Sequence, residues 1–309
     1  MSILGIDRIT YGVQDLAQCR RFFLDWGLKL ARESAAALDF ETMNGCEVQV
    51  RPAADPTLPP AIESGSTLRS VVWGVERTAD LDRLRRALGA SGHWAENAGT
   101  LETADPNGLA LGFRVTRKGE VDVKGVPINA WGQSGRGTNR RSTFYERAEP
   151  IEVGHVVFFT DRLAEAERFY VDTLGFCVSD RYPGRGLFLR CAAQGGHHDL
   201  FLLQPPVARR GLNHVAFAVR DVHEVFGGGL HISRCGWDTE LGPGRHPISS
   251  AYFWYVKNPA GGLIEYYSDE DQLDGTWQPS DFQPSPEAFA EWAVVGGIDG
   301  KSRRAKAAP

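Results

Sequence analysis

Cysteine is scarce and unpatterned in this 309-residue chain. Cys19, Cys46, Cys177, Cys191 and Cys235 are odd in number, irregularly spaced and never paired as CxxC. Neither a structural zinc site nor a disulfide framework is therefore expected. No apolar run approaches the roughly 18 residues of a membrane span. The opening MSILGIDRITYGV lacks a basic segment ahead of a long apolar core, so no secretory signal is expected either. Basic charge is not in excess: 34 Lys and Arg stand against 39 Asp and Glu, a net charge of -5, unlike a dedicated nucleic-acid binder. These absences point to a cytoplasmic protein with neither nucleic acid nor membrane as partner. A content of 42% hydrophobic and 24% charged residues excludes a disordered, collagen-like or coiled-coil chain.

What is present begins with a skew. Of 8 histidines, only His93 precedes residue 151; His155, His197, His198, His214, His223, His231 and His246 all follow it. The length suggests two domains, and internal repeats define them. Arg20-Arg21-Phe22-Phe23-Leu24-Asp25 lies over Glu167-Arg168-Phe169-Tyr170-Val171-Asp172. Each hexapeptide follows an apolar strand-like run, Ile9–Val13 and His155–Phe159, and has apolar residues at helical spacing. Thr160 or Asp161 is available to cap the second helix. A second pair of segments also matches: Leu68–Val75 over Leu212–Val219, each ending in a Pro/Gly turn (Asp105-Pro106-Asn107-Gly108; Asn258-Pro259-Ala260-Gly261) and a last strand.

Each half therefore reads as two βαβββ-like units, in domains 1–115 and 151–268. The Gly/Arg/Ser-rich stretch 116–150 reads as a solvated linker, or as a loop covering a neighbouring subunit or a ligand mouth. The tail 269–309 carries a helix-like run from Pro286 to Val295, and Lys301–Pro309 is expected to fray.

Three ligand-type residues fall on three strands of the second half: His155, His214 and Glu265. Two imidazoles and one carboxylate on one face of a metal leave the other face open, the facial triad of non-haem Fe(II) oxygenases, which also accepts Mn(II). The repeat sharpens this reading. At the matching positions the first half has Arg8, Ser70 and Gly112. Strands and turns recur there without the ligands, as expected of one live site and one scaffold copy.

These features carry a family resemblance. Gly244-Arg245-His246 is followed by Trp254-Tyr255-Val256-Lys257-Asn258-Pro259-Ala260-Gly261 and then Gly262-Leu263-Ile264-Glu265. With the repeat, this resembles the type I extradiol ring-cleavage dioxygenases of the vicinal oxygen chelate superfamily. Trp254 departs from the smaller apolar residue usual before the Tyr. The resemblance runs to about residue 270 and is more specific in the second half. It implies an α+β fold of two domains, each with two βαβββ modules in a curved, partly closed mixed sheet with helices outside. It implies His155, His214 and Glu265 as ligands of Fe(II) (Mn(II) as alternative) and His198 as acid/base. It implies His246 and Tyr255 as hydrogen-bonding partners of the substrate oxygens. His197, His223 and His231 receive no role, and the last two read as solvent-facing.

The implied reaction inserts both atoms of O2 into a catechol ring beside the diol, in a homo-oligomeric enzyme. No charge precedes Gly242–His246, and Phe188, Phe201, Phe253 and Trp254 could line an aromatic slot. The substrate reading is therefore an apolar or bicyclic catechol of the 2,3-dihydroxybiphenyl kind, unless Arg185, Arg209 or Arg245 meets a carboxylate. Two other readings stay open: a glyoxalase-type metal-dependent isomerase or lyase, and a non-enzymatic small-molecule-binding protein.

Overall fold

A computed structural model describes residues 3–89 and 94–298; His93 and the segment Lys301–Pro309 lie outside them. The fold is mixed α+β, built on sheets of eight and ten strands that do not close into barrels. At the centre of the first sheet, Ile3–Val13 runs antiparallel to Thr67–Val75. Each is flanked by a parallel neighbour, Glu47–Pro52 on one side and Ala110–Val115 on the other. The second sheet repeats this plan. Glu152–Phe159 pairs antiparallel with Gly211–Ala218, and the parallel neighbours are Leu200–Leu203 and Leu263–Ser268. Beyond Leu263–Ser268 come Tyr252–Lys257 and then Thr239–Arg245.

The helices form where apolar spacing meets a cap. Asp15 accepts from the Gln18 backbone N–H and starts Leu16–Asp25, which buries Cys19, Phe22 and Phe23. Asp221 does the same for Val222–Arg234. That helix buries Gly228 and Gly229, and a Cβ on Gly229 would stand 2.0 Å from the Trp254 ring. Glycine costs helix propensity, but here it lets the helix approach the sheet behind the site.

The two halves share one hydrophobic core. Trp26 stacks on Tyr266 at 3.5 Å between ring centroids, and the Tyr266 hydroxyl donates to the Trp26 carbonyl at 2.7 Å. The related contact on the other side sets Phe176 edge-on to Trp73, while Thr160 donates to Asn107 at 2.7 Å.

Several expectations need correction. Neither Thr160 nor Asp161 caps the helix after Phe159; Arg162 holds the cap position without a side-chain bond, because the Thr160 hydroxyl donates to Asn107 and accepts from the Arg162 backbone N–H, one residue short of the helix. That helix is α-helical only over Leu163–Glu167 and continues as a π-helix over Arg168–Thr173. In the tail, Pro286–Phe289 is helical, but Trp292–Val295 is a strand. The reason is pairing: Trp292–Val295 completes the open edge of Thr239–Arg245, and Ser280–Asp281 pairs with Cys177–Tyr182 at the opposite edge. The stretch 116–150 is mostly exposed, with Ala148 buried and Val126 and Tyr145 bonded to Asp221. No described helix is long and apolar enough to cross a membrane.

Candidate active site

Register brings the ligand-type residues together. His155 sits opposite Ala216 on the central pair, and Ala216 sits opposite Glu265 on the next. His214 lies two residues before Ala216, on the same face of its strand. Ala216 is fully buried, and its small side chain leaves room for the three larger ones. The same register in the first sheet aligns Arg8 with Val72 and Val72 with Gly112, so the backbone frame is duplicated without the donors.

The three donor atoms converge. His155 Nε2 and His214 Nε2 lie 3.2 and 3.1 Å from Glu265 Oε2, and 3.3 Å from each other. Donors held about 2.1 Å from one divalent ion at right angles lie about 3 Å apart, so the cluster has the dimensions of a facial site. Both Glu265 oxygens are buried without a hydrogen-bond partner, an arrangement costly for a carboxylate unless a cation completes it. Asn213 Oδ1 accepts from His214 Nδ1 at 2.7 Å, which turns the Nε2 lone pair toward the cluster. These donors fit a hard or borderline divalent ion.

Electrostatics keep the groups in ligand form. Burial, aided by the neighbouring His198, holds the His155 imidazole down to about 4. Burial opposes charge on Glu265, but the close imidazoles of His155, His214 and His246 prevail and hold the carboxyl well below the usual range.

The residues singled out for proton handling surround the same point. His198 is buried with its ring 4.1 Å from that of His155, and desolvation, then His197, keeps it well below the ordinary histidine range. His246 Nε2 lies 3.1 Å from the Tyr255 hydroxyl and 3.7 Å from Glu265 Oε1, while His246 Nδ1 donates to the Phe289 carbonyl at 2.7 Å. Burial, then the Glu265 charge, raises Tyr255 well above the ordinary phenol. A cavity of about 640 Å³ opens onto His155, His198, His214, His246 and Tyr255. Its walls are mainly apolar, with Phe188, Phe201, Leu203, Ile248 and, from the tail, Phe289. Phe253 and Trp254 are core residues and not wall. Arg185 lines the cavity, whereas Arg245 pairs with Glu291 and Arg209 lies over Phe159. No residue of 116–150 lines it.

Sequence reasoning misses part of the site. His197 is completely buried and bonds Asp180 at 2.8 Å. Glu270 lies 3.3 Å from His198 Nδ1, where burial pushes its carboxyl up to about 7. Gly196 admits Glu270, because a Cβ there would stand 2.1 Å from its Oε2. His223 and His231 are half-buried rather than solvent-facing. The adjacent pair His197-His198 was the available signal, but it lies in a loop where strand alternation gives no rule for side-chain direction.

Residues 152–266 match the model of the Glyoxalase/Bleomycin resistance protein/Dioxygenase superfamily. The chain is 29% identical to Metapyrocatechase 2 of Cupriavidus necator over 94% of its own length and 89% of that protein's. It is 23% identical to a manganese-dependent 2,3-dihydroxybiphenyl 1,2-dioxygenase of Geobacillus genomosp. 3, covering 69% and 70%. Among solved structures, the Mn(II)-bound glyoxalase of Novosphingobium aromaticivorans superposes with a TM-score of 0.76 at 25% identity, covering 96% of this chain and 93% of that one.

Proposed function

We propose that the chain, whose residues 152–266 match the model of the Glyoxalase/Bleomycin resistance protein/Dioxygenase superfamily, is an oxidoreductase of the extradiol type, cleaving a catechol beside its diol with O2. The observation that carries this reading is the meeting of His155, His214 and Glu265 with His198 and the His246–Tyr255 pair at one apolar cavity. The similarity to Metapyrocatechase 2 supports it. In this reading the metal domain spans 151–268 and 1–115 is its metal-free copy.

His155, His214 and Glu265 would hold Fe(II), with Mn(II) as the alternative. The bound ion would lower the hydroxyl pKa of a chelating diol and couple the ring's electrons to dioxygen. The chain's own groups do the rest. His198, neutral in its buried setting, accepts one catechol proton and returns it when the O–O bond breaks. Tyr255 and His246 are placed to hydrogen-bond the diol oxygens. The apolar walls exclude water and suit an unsubstituted aryl face, which favours an apolar or bicyclic catechol. Both oxygen atoms enter the product and no external reductant is needed.

The test is anaerobic reconstitution with Fe(II) or Mn(II), then addition of catechol, a 3-substituted catechol or 2,3-dihydroxybiphenyl in air. A yellow ring-opened product with matching oxygen uptake is expected for at least one. Absence of both across the panel overturns the reading. A glyoxalase-type isomerase is the second reading, favoured by the likeness to the Mn(II)-bound glyoxalase; it predicts turnover without oxygen uptake.

A further inference from the structure

The Asp180 carboxylate is buried, and each oxygen has one partner. Oδ1 accepts from the Ser280 backbone N–H at 2.6 Å, and Oδ2 faces His197 Nε2 at 2.8 Å. An ionised carboxylate only accepts, so His197 carries its proton on Nε2. A neutral imidazole has one N–H, which makes His197 Nδ1 an acceptor. That nitrogen lies 3.2 Å from His198 Nδ1. Glu270 Oε1, 3.3 Å from the same atom, accepts from the His198 backbone N–H at 3.3 Å. His197 requires the proton on His198 Nδ1, which leaves His198 Nε2 as the bare nitrogen of a ring that lines the cavity. Phe188 packs edge-on to both imidazoles at 5.4 and 5.2 Å and holds their planes. His197 is wholly buried, so water cannot reset its tautomer.

We propose that Asp180 and His197 are positioning residues that fix the tautomer of His198, and with it the nitrogen that takes the substrate proton. The inference rests on the dioxygenase reading for its catalytic consequence, but not for the tautomer itself. In the step concerned, a catechol O–H bond breaks and an N–H bond forms at His198 Nε2. The resulting imidazolium carries both protons, its Nδ1–H held by His197, and the Nε2 proton is later returned.

Asp180→Asn tests this with a built-in direction. The Ser280 N–H keeps an oxygen on its side, so the new amide turns its NH2 toward His197 Nε2 and donates. His197 must then carry its proton on Nδ1 and donate to His198 Nδ1, which drives the His198 proton onto Nε2. Long-range 15N–1H correlation spectra of histidine-labelled, Zn(II)-loaded protein read the tautomers directly. His198 is expected as Nδ1–H in the parent and Nε2–H in Asp180→Asn. In steady-state assays kcat should fall about 10- to 100-fold, part of the ~10²–10⁴ that a positioned acid/base supplies, with KM and metal content within about twofold. In a His198→Phe background the same change should add no further loss. His197→Phe, which keeps a ring against Phe188, gives an independent loss of kcat at unchanged metal content should Asp180→Asn not fold. An Nε2–H tautomer in the parent, or full kcat in a folded, metal-loaded variant, overturns the proposal. A parent that turns over no catechol yet shows the expected tautomers overturns the dioxygenase reading and leaves the relay standing.

Discussion

At the scale of single residues, Glu265 carries a buried charge that calls for a cation. Its carboxylate is buried, ionised and without a hydrogen-bond partner, and two imidazole nitrogens point at one of its oxygens. Glu265→Ala is expected to reduce metal content to below about a tenth of the parent's after desalting, read by elemental analysis, since removing one of three protein ligands leaves the site incomplete. Full retention would remove Glu265 from the ligand set. Asp199 offers a pH signature away from the donors. Burial pushes it up to about 6, against a hydrogen bond from the Cys191 N–H. A carboxyl raised in the folded state costs nothing below its ordinary value of 3.8, and its penalty grows as pH rises from there to about 6 and is constant above. Asp199→Asn keeps the acceptor oxygen and removes the charge. Its melting temperature relative to the parent should therefore rise between pH 5 and pH 7.5; a flat difference would refute the assignment. Residues of this kind differ in legibility. The meeting of His155, His214 and Glu265 can be read from sequence because the repeat puts Arg8, Ser70 and Gly112 at the matching positions. Asp180, His197 and Glu270 cannot, because their roles come from loop and edge contacts that no periodicity encodes.

At the scale of elements, the strands and the helix Leu16–Asp25 follow their patterns, and the departures sit where tertiary pairing overrides propensity. Trp292–Val295 has a helix-like context but becomes a strand because Thr239–Arg245 offers an unpaired edge. The same override operates in Val222–Arg234. Gly→Ala inside a helix ordinarily adds about 1 kcal/mol of stability. Gly229→Ala should do the opposite, because the new Cβ would stand 2.0 Å from the Trp254 ring. Overpacking of this kind costs about 1–3 kcal/mol. A fall in the denaturation midpoint at unchanged m-value is expected, and a rise would show that the helix can back away from the sheet.

At the scale of the whole molecule, the half that lacks the three donors is packed against the half that has them. The helix Leu16–Asp25 of the first half ends against the second: Trp26 stacks on Tyr266, and the Trp237 indole donates to Asp25 at 2.8 Å. Tyr266 adjoins Glu265 in the chain, so its stacking holds the backbone that carries the carboxylate. Trp26→Ala removes a wholly buried ring and should cost about 3–5 kcal/mol. Trp26→Phe keeps an aromatic face and discards an indole N–H that has no partner, so its cost should be less than half as large. The alanine variant should also bind metal more weakly, because the strand Leu263–Ser268 loses its support. If the halves act as one cooperative unit, saturating metal shifts a single denaturation transition of the parent upward, since a ligand stabilises everything that unfolds with its site. A second transition indifferent to metal, assigned by tryptophan fluorescence to the first half, would mean that the shared core does not couple them. Trp26 would then be a local packing residue with no reach to the site.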